Sequence, residues 1–312
     1  MALNEFSSAH FRDGLPTADR EAVRDLIGAA AEADGIGPVS EDARLALDHG
    51  RADSHFLVAR ATDGAVAGYA YAGPIDQHGA RTAELVVAPD SRRKGLGAEL
   101  AAGLIAETAG EPGRGLEFWA HGDHPAARKL ATALGYAAIR ELRLLSLEVR
   151  EMARQEVDLP PGAELRTFRP GVDEEEWLGL NARAFSHHPE QGSWTMADLT
   201  RRMAEPWFDP AGFFLLALDG RPAGFHWTKV HPAGEYGPEP VGEVYVVGVD
   251  PGAQGRGLGR LLTVAGLNHL ADTGLTRIVL YVDADNAAAV RLYAGLGFRL
   301  ESADIMYAKP FG

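Results

Sequence analysis

The chain has 312 residues, 46% of them hydrophobic and 24% charged, with 44 acidic against 30 basic side chains and a formal net charge of -14. That length suits two domains of about 150 residues, each able to bury a core, and the acidic balance argues against nonspecific nucleic-acid binding, which needs a positive surface to displace phosphate counterions. Cysteine is absent, which excludes disulfides, thiolate metal sites and cysteine nucleophiles.

Met1 to Leu15 carries Asn4, Glu5, His10, Arg12 and Asp13, without a basic end or an apolar run, and makes a poor secretory signal. No stretch reaches the roughly 18–20 apolar residues of a membrane helix. A soluble cytoplasmic protein without membrane attachment is expected. The pattern then predicts a helix over Asp19–Ala33, where Val23, Leu26 and Ile27 form an apolar stripe at helical spacing. Strands follow at Phe56–Ala59 and Ala65–Ala72 around an Asp63-Gly64 turn, and a third at Thr82–Val87. An Ala/Leu-rich helix from Gly95 to Thr108, a strand at Leu116–Ala120, a helix at Pro125–Leu134 and a strand at Arg140–Val149 complete a first unit, residues 1–150. Residues 151–162 end in Leu159-Pro160-Pro161-Gly162. Paired prolines stop both helix and sheet, so this is a linker.

Residues 163–312 repeat the order. Strands are expected at Glu164–Phe168, Phe213–Leu218, Arg221–Lys229, Glu243–Val249, Arg277–Val282 and Ala303–Ala308. Helices are expected at Glu174–Ala184, Ala197–Met203, Leu258–Asp272 and Ala287–Leu296. A Pro/Gly-rich excursion between Val230 and Gly242 is either a specificity loop beside a ligand site or an ordinary surface hairpin.

The repeat is explicit. Arg92-Arg93-Lys94-Gly95-Leu96-Gly97 returns as Gln254-Gly255-Arg256-Gly257-Leu258-Gly259, and Leu134-Gly135-Tyr136 as Leu296-Gly297-Phe298, both 162 residues on. Each glycine turn follows a strand-like run ending in Pro89 or Pro251. A preserved offset means two copies of one α/β unit. Glycines let the backbone approach a ligand closely, and the following helix aims unpaired N–H groups and its positive dipole end at it. With Arg256 and Arg260 nearby, this suits a pyrophosphate. It is not the dinucleotide fingerprint, because Gln254 holds that motif's first glycine position, and no Gly-Lys-Ser/Thr closes a phosphate loop.

The Arg/Gln-x-x-Gly-x-Gly spacing resembles the acyl-coenzyme A turn of the GCN5-related N-acetyltransferase superfamily. Asn286-Ala287-Ala288-Ala289-Val290-Arg291-Leu292-Tyr293-Ala294-Gly295-Leu296-Gly297-Phe298 is similar to its later helix motif. The resemblance covers nearly the whole chain as a tandem pair. It implies an α/β fold of two such domains, each a central mixed sheet flanked by helices. Phe225-His226-Trp227-Thr228-Lys229-Val230-His231-Pro232, His188–Gly192, Gly242–Val246 and Glu117–Gly122 more narrowly resemble the mycothiol synthase family. That resemblance implies acetyl-CoA as cosubstrate. It also implies a pseudo-disaccharide acceptor, the cysteinyl amine of 1-D-myo-inositol 2-(L-cysteinylamino)-2-deoxy-alpha-D-glucopyranoside.

The offset sets Glu243 against Arg81, Asn286 against His124 and Tyr293 against Ala131, so only the second unit has both a carboxylate and a phenol for chemistry. An α-amine, with pKa near 7.7–8.0, needs only a modest base. Glu243 is the candidate, acting directly, through a water, or as an anchor for the ammonium. Backbone N–H groups of Val247-Gly248-Val249 are candidates to stabilise charge on the thioester carbonyl, with a bulge expected at Gly248. Tyr293, two helical turns from Asn286, is the candidate acid for the leaving thiolate.

The resemblance further implies a first coenzyme site at Leu85, Val86, Val87 and Arg92, Arg93, Lys94, Gly95, Leu96, Gly97. It implies a second at Val247, Gly248, Val249, at Gln254, Gly255, Arg256, Gly257, Leu258, Gly259, Arg260, and at Asn286, Ala287, Ala288, Ala289, Val290, Arg291. It implies acceptor contacts at Glu41, Glu190, Lys229, Glu243 and Tyr281. The spacing of His187, His188, His226 and His231 fits no common zinc pattern, and no metal is expected. His226 and Trp227 are expected to line the acceptor pocket, and two internally paired units favour a monomer. Two other readings fit the same residues: acetylation of another amine, or a non-catalytic coenzyme-binding module.

Overall fold

The computed structural model describes residues 6–76, 78–186, 191–234 and 236–309. In chain order the first elements are β1 (Phe6–Arg12), α1 (Thr17–Asp34), α2 (Glu41–His49), β2 (His55–Ala61), β3 (Val66–Ile75), β4 (Ala80–Val87), α3 (Leu96–Glu107), β5 (Gly115–Ala120), α4 (Pro125–Ala133) and β6 (Ala137–Glu148). Then come β7 (Ala163–Thr167), α5 (Glu174–Ala184), α6 (Met196–Met203), β8 (Phe213–Leu218), β9 (Arg221–His231), β10 (Val241–Val249), α7 (Leu258–Asp272), β11 (Arg277–Asp283), α8 (Ala287–Gly295) and β12 (Arg299–Ala308). Among the described residues, no helix is long and apolar enough to cross a membrane.

Two elements gave no sequence signal. β1 is polar and mostly exposed, so no inside-outside alternation marks it. α2 is a nine-residue helix set by its cap, the Ser40 hydroxyl accepting from the Ala43 N–H. Residues after the 151 boundary are not a free linker. Gln155 accepts from Arg260 (2.6 Å) through its side chain and from Asn268 (2.9 Å) through its carbonyl.

The chain forms two compact units, Met1–Glu141 with Ala303–Gly312, and Leu142–Ser302. In the first, the strands run β1-β2-β3-β4-β5-β12. All neighbours are antiparallel except β4 and β5. The period-two alternation of β2 sends Phe56 and Val58 into a core with Val23 and Leu26 of α1. It sends Leu57 and Ala59 into another with Leu96, Leu100 and Leu104 of α3. The second unit has the order β6-β11-β10-β9-β8-β7, parallel only between β10 and β11. One of its faces carries an aromatic core of Trp177, Phe213, Phe225 and Trp227. The other packs Leu267 and Leu270 of α7 on Ile278 and Leu280.

The compact units depart from the sequence repeat at its closing strands. β12, which ends the second repeat, pairs with β5 of the first unit, Ile305 opposite Ala120 and Ala308 opposite Glu117, and seats Tyr307 beside Tyr136. β6, which ends the first repeat, pairs with β11 from Leu142 to Glu148 and buries Leu144, Leu145 and Leu147 in the second unit. A fully buried leucine is worth about 1.5–3 kcal/mol. Three of them rival the roughly 5–15 kcal/mol net stability of a domain.

Candidate active site

The two glycine turns open their helices as the sequence predicts. α3 follows Gly95 (φ 91°) and α7 follows Gly257 (φ 77°), and neither receives a side-chain cap. By contrast α2, α4, α6 and α8 are each capped by their own Ser40, His124, Thr195 or Asn286. The first N–H groups of α3 and α7, like those of α1 and α5, thus receive no side-chain cap. A Cβ on Gly255 or Gly257 would meet nothing within 4 Å. Their glycines serve the left-handed backbone (φ 76° and 77°) and ligand approach, not internal packing.

The charged members of the turns divide. Arg93, Lys94, Arg256 and Arg260 are exposed. Arg92 instead donates to both oxygens of Asp34 (2.6 and 2.8 Å) and to the Val87 carbonyl (3.1 Å). Its counterpart Gln254 donates to the matching Val249 carbonyl (3.3 Å). Both side chains brace the turn from within. Asn286, likewise, spends its carbonyl oxygen on the Ala289 N–H (3.1 Å), while Ala287, Ala288 and Arg291 stay exposed.

Upstream of each turn lies a fork. β10 pairs with β11 only over Gly242–Val244, opposite Ile278–Leu280, while its pairing with β9 continues to Val249. From Val246 to Val249 the β11-facing edge of β10 therefore has no ladder partner among the described residues. A polar backbone edge of this kind can accept an added extended chain. The first unit forks likewise, β4 and β5 pairing only over Ala80–Ala83. The bulge sits at Tyr245, not at the expected Gly248. Gly248 is a glycine for space: a Cβ there would lie 2.8 Å from the Phe225 ring and 3.0 Å from Phe185.

The bulge also corrects the repeat alignment. Ala83 opposite Phe118 matches Val244 opposite Leu280, so the counterpart of Glu243 is Thr82 rather than Arg81. The first unit still lacks a carboxylate there.

Glu243 lies one residue before the fork tip, on the sheet face away from α7. Lys229 is directly opposite it on β9, and His231 is two residues further along the same face. All three are buried, at 6%, 4% and 2% exposure. His231 Nε2 lies 2.6 Å from Glu243 Oε2, so this nitrogen carries the proton and the carboxylate accepts. The Lys229 ammonium sits 4.4 Å from the Trp207 ring and 5.3 Å from Tyr245, where ring quadrupoles help hold a desolvated cation. The Pro/Gly-rich excursion contributes Tyr236. Its ring packs on His231 (4.6 Å), and its hydroxyl meets that of Tyr281 at 3.2 Å. The structure thus gathers Lys229, Glu243 and Tyr281. Glu41 opens α2 in the first unit, and Glu190, with His187 and His188, lies outside the described residues.

Tyr293 approaches the fork from the other side. On α8 it is buried in one cluster with Val244 and Leu280, the pair at the fork tip, and its ring packs on Phe298 at 5.8 Å. Burial pushes its phenol well above the usual range, so it remains a proton donor throughout neutral pH.

His226 and Trp227 do not line one pocket; they point to opposite faces of β9. Trp227 is a core side chain stacked on Phe213 (4.5 Å). His226 lies under α7 with Nδ1 donating to the Leu262 carbonyl (2.7 Å), and burial pushes it down to about 4. Gly266 of α7 leaves it room, since a Cβ there would fall 2.0 Å from the imidazole. Trp207, Tyr236 and His231 were missed as site residues. The alternation Trp227, Lys229, His231 on one strand was the usable signal for His231. Tyr236 stands in the Pro/Gly-rich excursion, whose length was its signal, and Trp207 in an irregular segment that carries none.

The first unit has a different fork. Glu84, next after the last paired residue, accepts from the Ser40 N–H (2.7 Å), and its carboxylate lies 3.6 Å from His121 Nε2. His121 Nδ1 is 2.8 Å from Asp304. Burial opposes charge on His121, but hydrogen bonds to Asp304 and Glu84 outweigh it and raise the imidazole to about 10. The fork mouth is thus filled by an internal ionic network, and Ala131 stands where the second unit has Tyr293.

The acetyltransferase (GNAT) family profile matches residues 21–136 and 175–298. The mycothiol acetyltransferase of Thermobispora bispora is 52% identical over 293 residues, covering 93% of this chain and 96% of that protein. That of Geodermatophilus obscurus is 51% identical, covering 95% and 96%. Among solved structures, a tandem GNAT protein from the clavulanic acid biosynthesis pathway superposes with a TM-score of 0.72 at 19% identity, covering 97% of this chain and 98% of that one. A GCN5-related N-acetyltransferase from Sphaerobacter thermophilus gives 0.70 at 23%, covering 98% and 96%; at such identities the likeness concerns the fold alone. Duplicated uncapped turns, paired forks and these matches together place the chain in the GNAT family, as a tandem member of its mycothiol acetyltransferase branch.

Proposed function

We propose that the second unit transfers the acetyl group of acetyl-CoA to the cysteinyl amine of 1-D-myo-inositol 2-(L-cysteinylamino)-2-deoxy-alpha-D-glucopyranoside, giving mycothiol and free coenzyme, in the cytoplasm where that coenzyme is drawn on. The observation that carries the reading is the fork tip at Val244, with Glu243 on one face and Tyr293 buried against the other. Identity near 50% to mycothiol acetyltransferases over almost the whole chain supports this acceptor.

The residues fit the coenzyme. The uncapped N–H groups ahead of α7, with Arg256 and Arg260, would hold its diphosphate. The unpaired edge at Val246–Val249 would pair with its pantetheine arm. When bound, it supplies an activated thioester carbonyl. Glu243 takes the proton from the acceptor ammonium, directly or through a water, and releases it to solvent; the neutral nitrogen attacks that carbonyl carbon, and its second proton leaves to Glu243 or to water as the adduct collapses to the amide. As the C–S bond breaks, the Tyr293 hydroxyl passes its proton to the departing sulfur and is reprotonated from solvent. Free N–H groups along Val246–Val249 donate to the carbonyl oxygen as its charge grows. Lys229 and Tyr281, with Tyr236, offer donors and acceptors to a polyol. The first unit, with Thr82 and Ala131 at the matching positions, supports the fold and retains an anion turn.

The direct test is a panel of amines incubated with acetyl-CoA, with free coenzyme quantified by chromatography because the acceptor carries its own thiol. Turnover is expected with the cysteinyl glucosaminyl-inositol. Turnover confined to polyamines or peptides would replace this acceptor, and coenzyme binding without release on any amine would favour a non-catalytic module. Gly257→Val, which forces a β-branched residue into a left-handed backbone at the diphosphate, is expected to weaken acetyl-CoA binding by about tenfold or more. Calorimetry on variant with unchanged circular dichroism checks this, and undiminished affinity would remove the turn from coenzyme binding.

A further inference from the structure

Glu243 alone does not describe the base. Its Oε2 is already engaged, 2.6 Å from His231 Nε2, in a pair that is almost wholly buried. His231 has its own support, an edge-on contact with Tyr236 (4.6 Å, 65° between ring planes). Tyr236 in turn is held by the Tyr281 hydroxyl. This chain of contacts joins β9, the β9–β10 loop, β10 and β11, and it ends on the one carboxylate at the fork tip. In the first unit Thr82 occupies the Glu243 position, and the carboxylate–histidine contacts there run instead through Glu84, His121 and Asp304.

We propose that His231 is a positioning residue for Glu243. It holds one carboxylate oxygen, so that the other is turned toward the acceptor amine and remains available to take its proton. The proposal rests on the reading of the second unit as an acetyltransferase and adds a residue to it. The consequence is geometric. A buried carboxylate with two free oxygens can rotate about its terminal torsion; one oxygen fixed by a donor leaves the other with a defined direction. The other charged or titratable groups on this face are Lys229 on β9, Tyr236 in the loop, Tyr245 on β10, Arg277, Tyr281 and Asp283 on β11, and Glu148 on β6 opposite Arg277. Tyr236 is the one whose packing changes with His231.

The test compares His231→Phe with His231→Gln, whose side-chain N–H can replace the Nε2 donor. His231→Phe is expected to lower kcat about tenfold or more and to leave KM for acetyl-CoA unchanged. His231→Gln is expected to restore most of the rate. Equal losses in both variants would overturn the proposal in favour of mere packing. A second measurement does not depend on activity or on the Phe variant folding. By NMR, the His231 imidazole is expected to titrate at lower pH in Glu243→Gln than in wild type, and equal midpoints would overturn the pairing. If wild type acetylates no amine while this midpoint still falls, the pair stands and the acetyltransferase reading fails.

Discussion

With phenylalanine at position 293, kcat is expected to fall by about 10²–10⁴ while affinity for acetyl-CoA holds. The substitution removes one oxygen and keeps the ring that packs on Phe298 within the cluster of Val244 and Leu280. Folding should therefore be nearly untouched, whereas Tyr293→Ala would open a cavity costing on the order of 3–5 kcal/mol and confuse the two effects. The phenol is shifted upward by burial, so the wild-type enzyme should show no loss of this acid through neutral pH. Single-turnover rates and equilibrium binding on the same preparation separate chemistry from affinity. An unchanged kcat would remove Tyr293 as the proton donor.

Glu243→Gln is expected to reduce kcat/KM by about 10² or more. The amide is isosteric, and its oxygen can still accept from His231, so the buried pair loses a charge without losing its shape. The pH dependence then distinguishes the two roles open to the carboxylate. If Glu243 is the base, the deficit in kcat should shrink above about pH 8, where an α-amine is already neutral. If it anchors the ammonium, the loss should appear in KM for the acceptor instead. Wild-type kinetics at every pH would locate both functions elsewhere.

Much of this site was legible in the residues. The Gly257 and Gly259 spacing, the strand before it and the helix after it fix a left-handed turn that opens a helix, by backbone geometry that sequence records directly. Tyr293 was legible because helical periodicity ties it to Asn286. Register was less so: a single extra residue at Tyr245 shifts β10 by one, and nothing local in Glu243–Val249 announces it. The same limit applied to His226 and Trp227. Adjacent residues on a strand face opposite sides, and which side meets α7 depends on Gly266, 40 residues away in sequence. Side chains from irregular segments, Trp207 and Tyr236, reach the site through tertiary packing that no periodicity encodes. The closing strands β6 and β12 read as ordinary final strands of their own repeats, because a strand's hydrogen-bonding groups are indifferent to which partner they meet.

That crossing governs how the polypeptide can be born and inherited. The ribosome must deliver all of residues 142–302 before Ala303–Ala308 arrive to close the sheet begun at Phe6, so the amino-terminal half waits, one strand short, for its completion. A gene truncated to the second repeat would omit Leu142–Glu148 and leave β11 with a bare edge. The first copy is thereby protected from deletion by architecture alone.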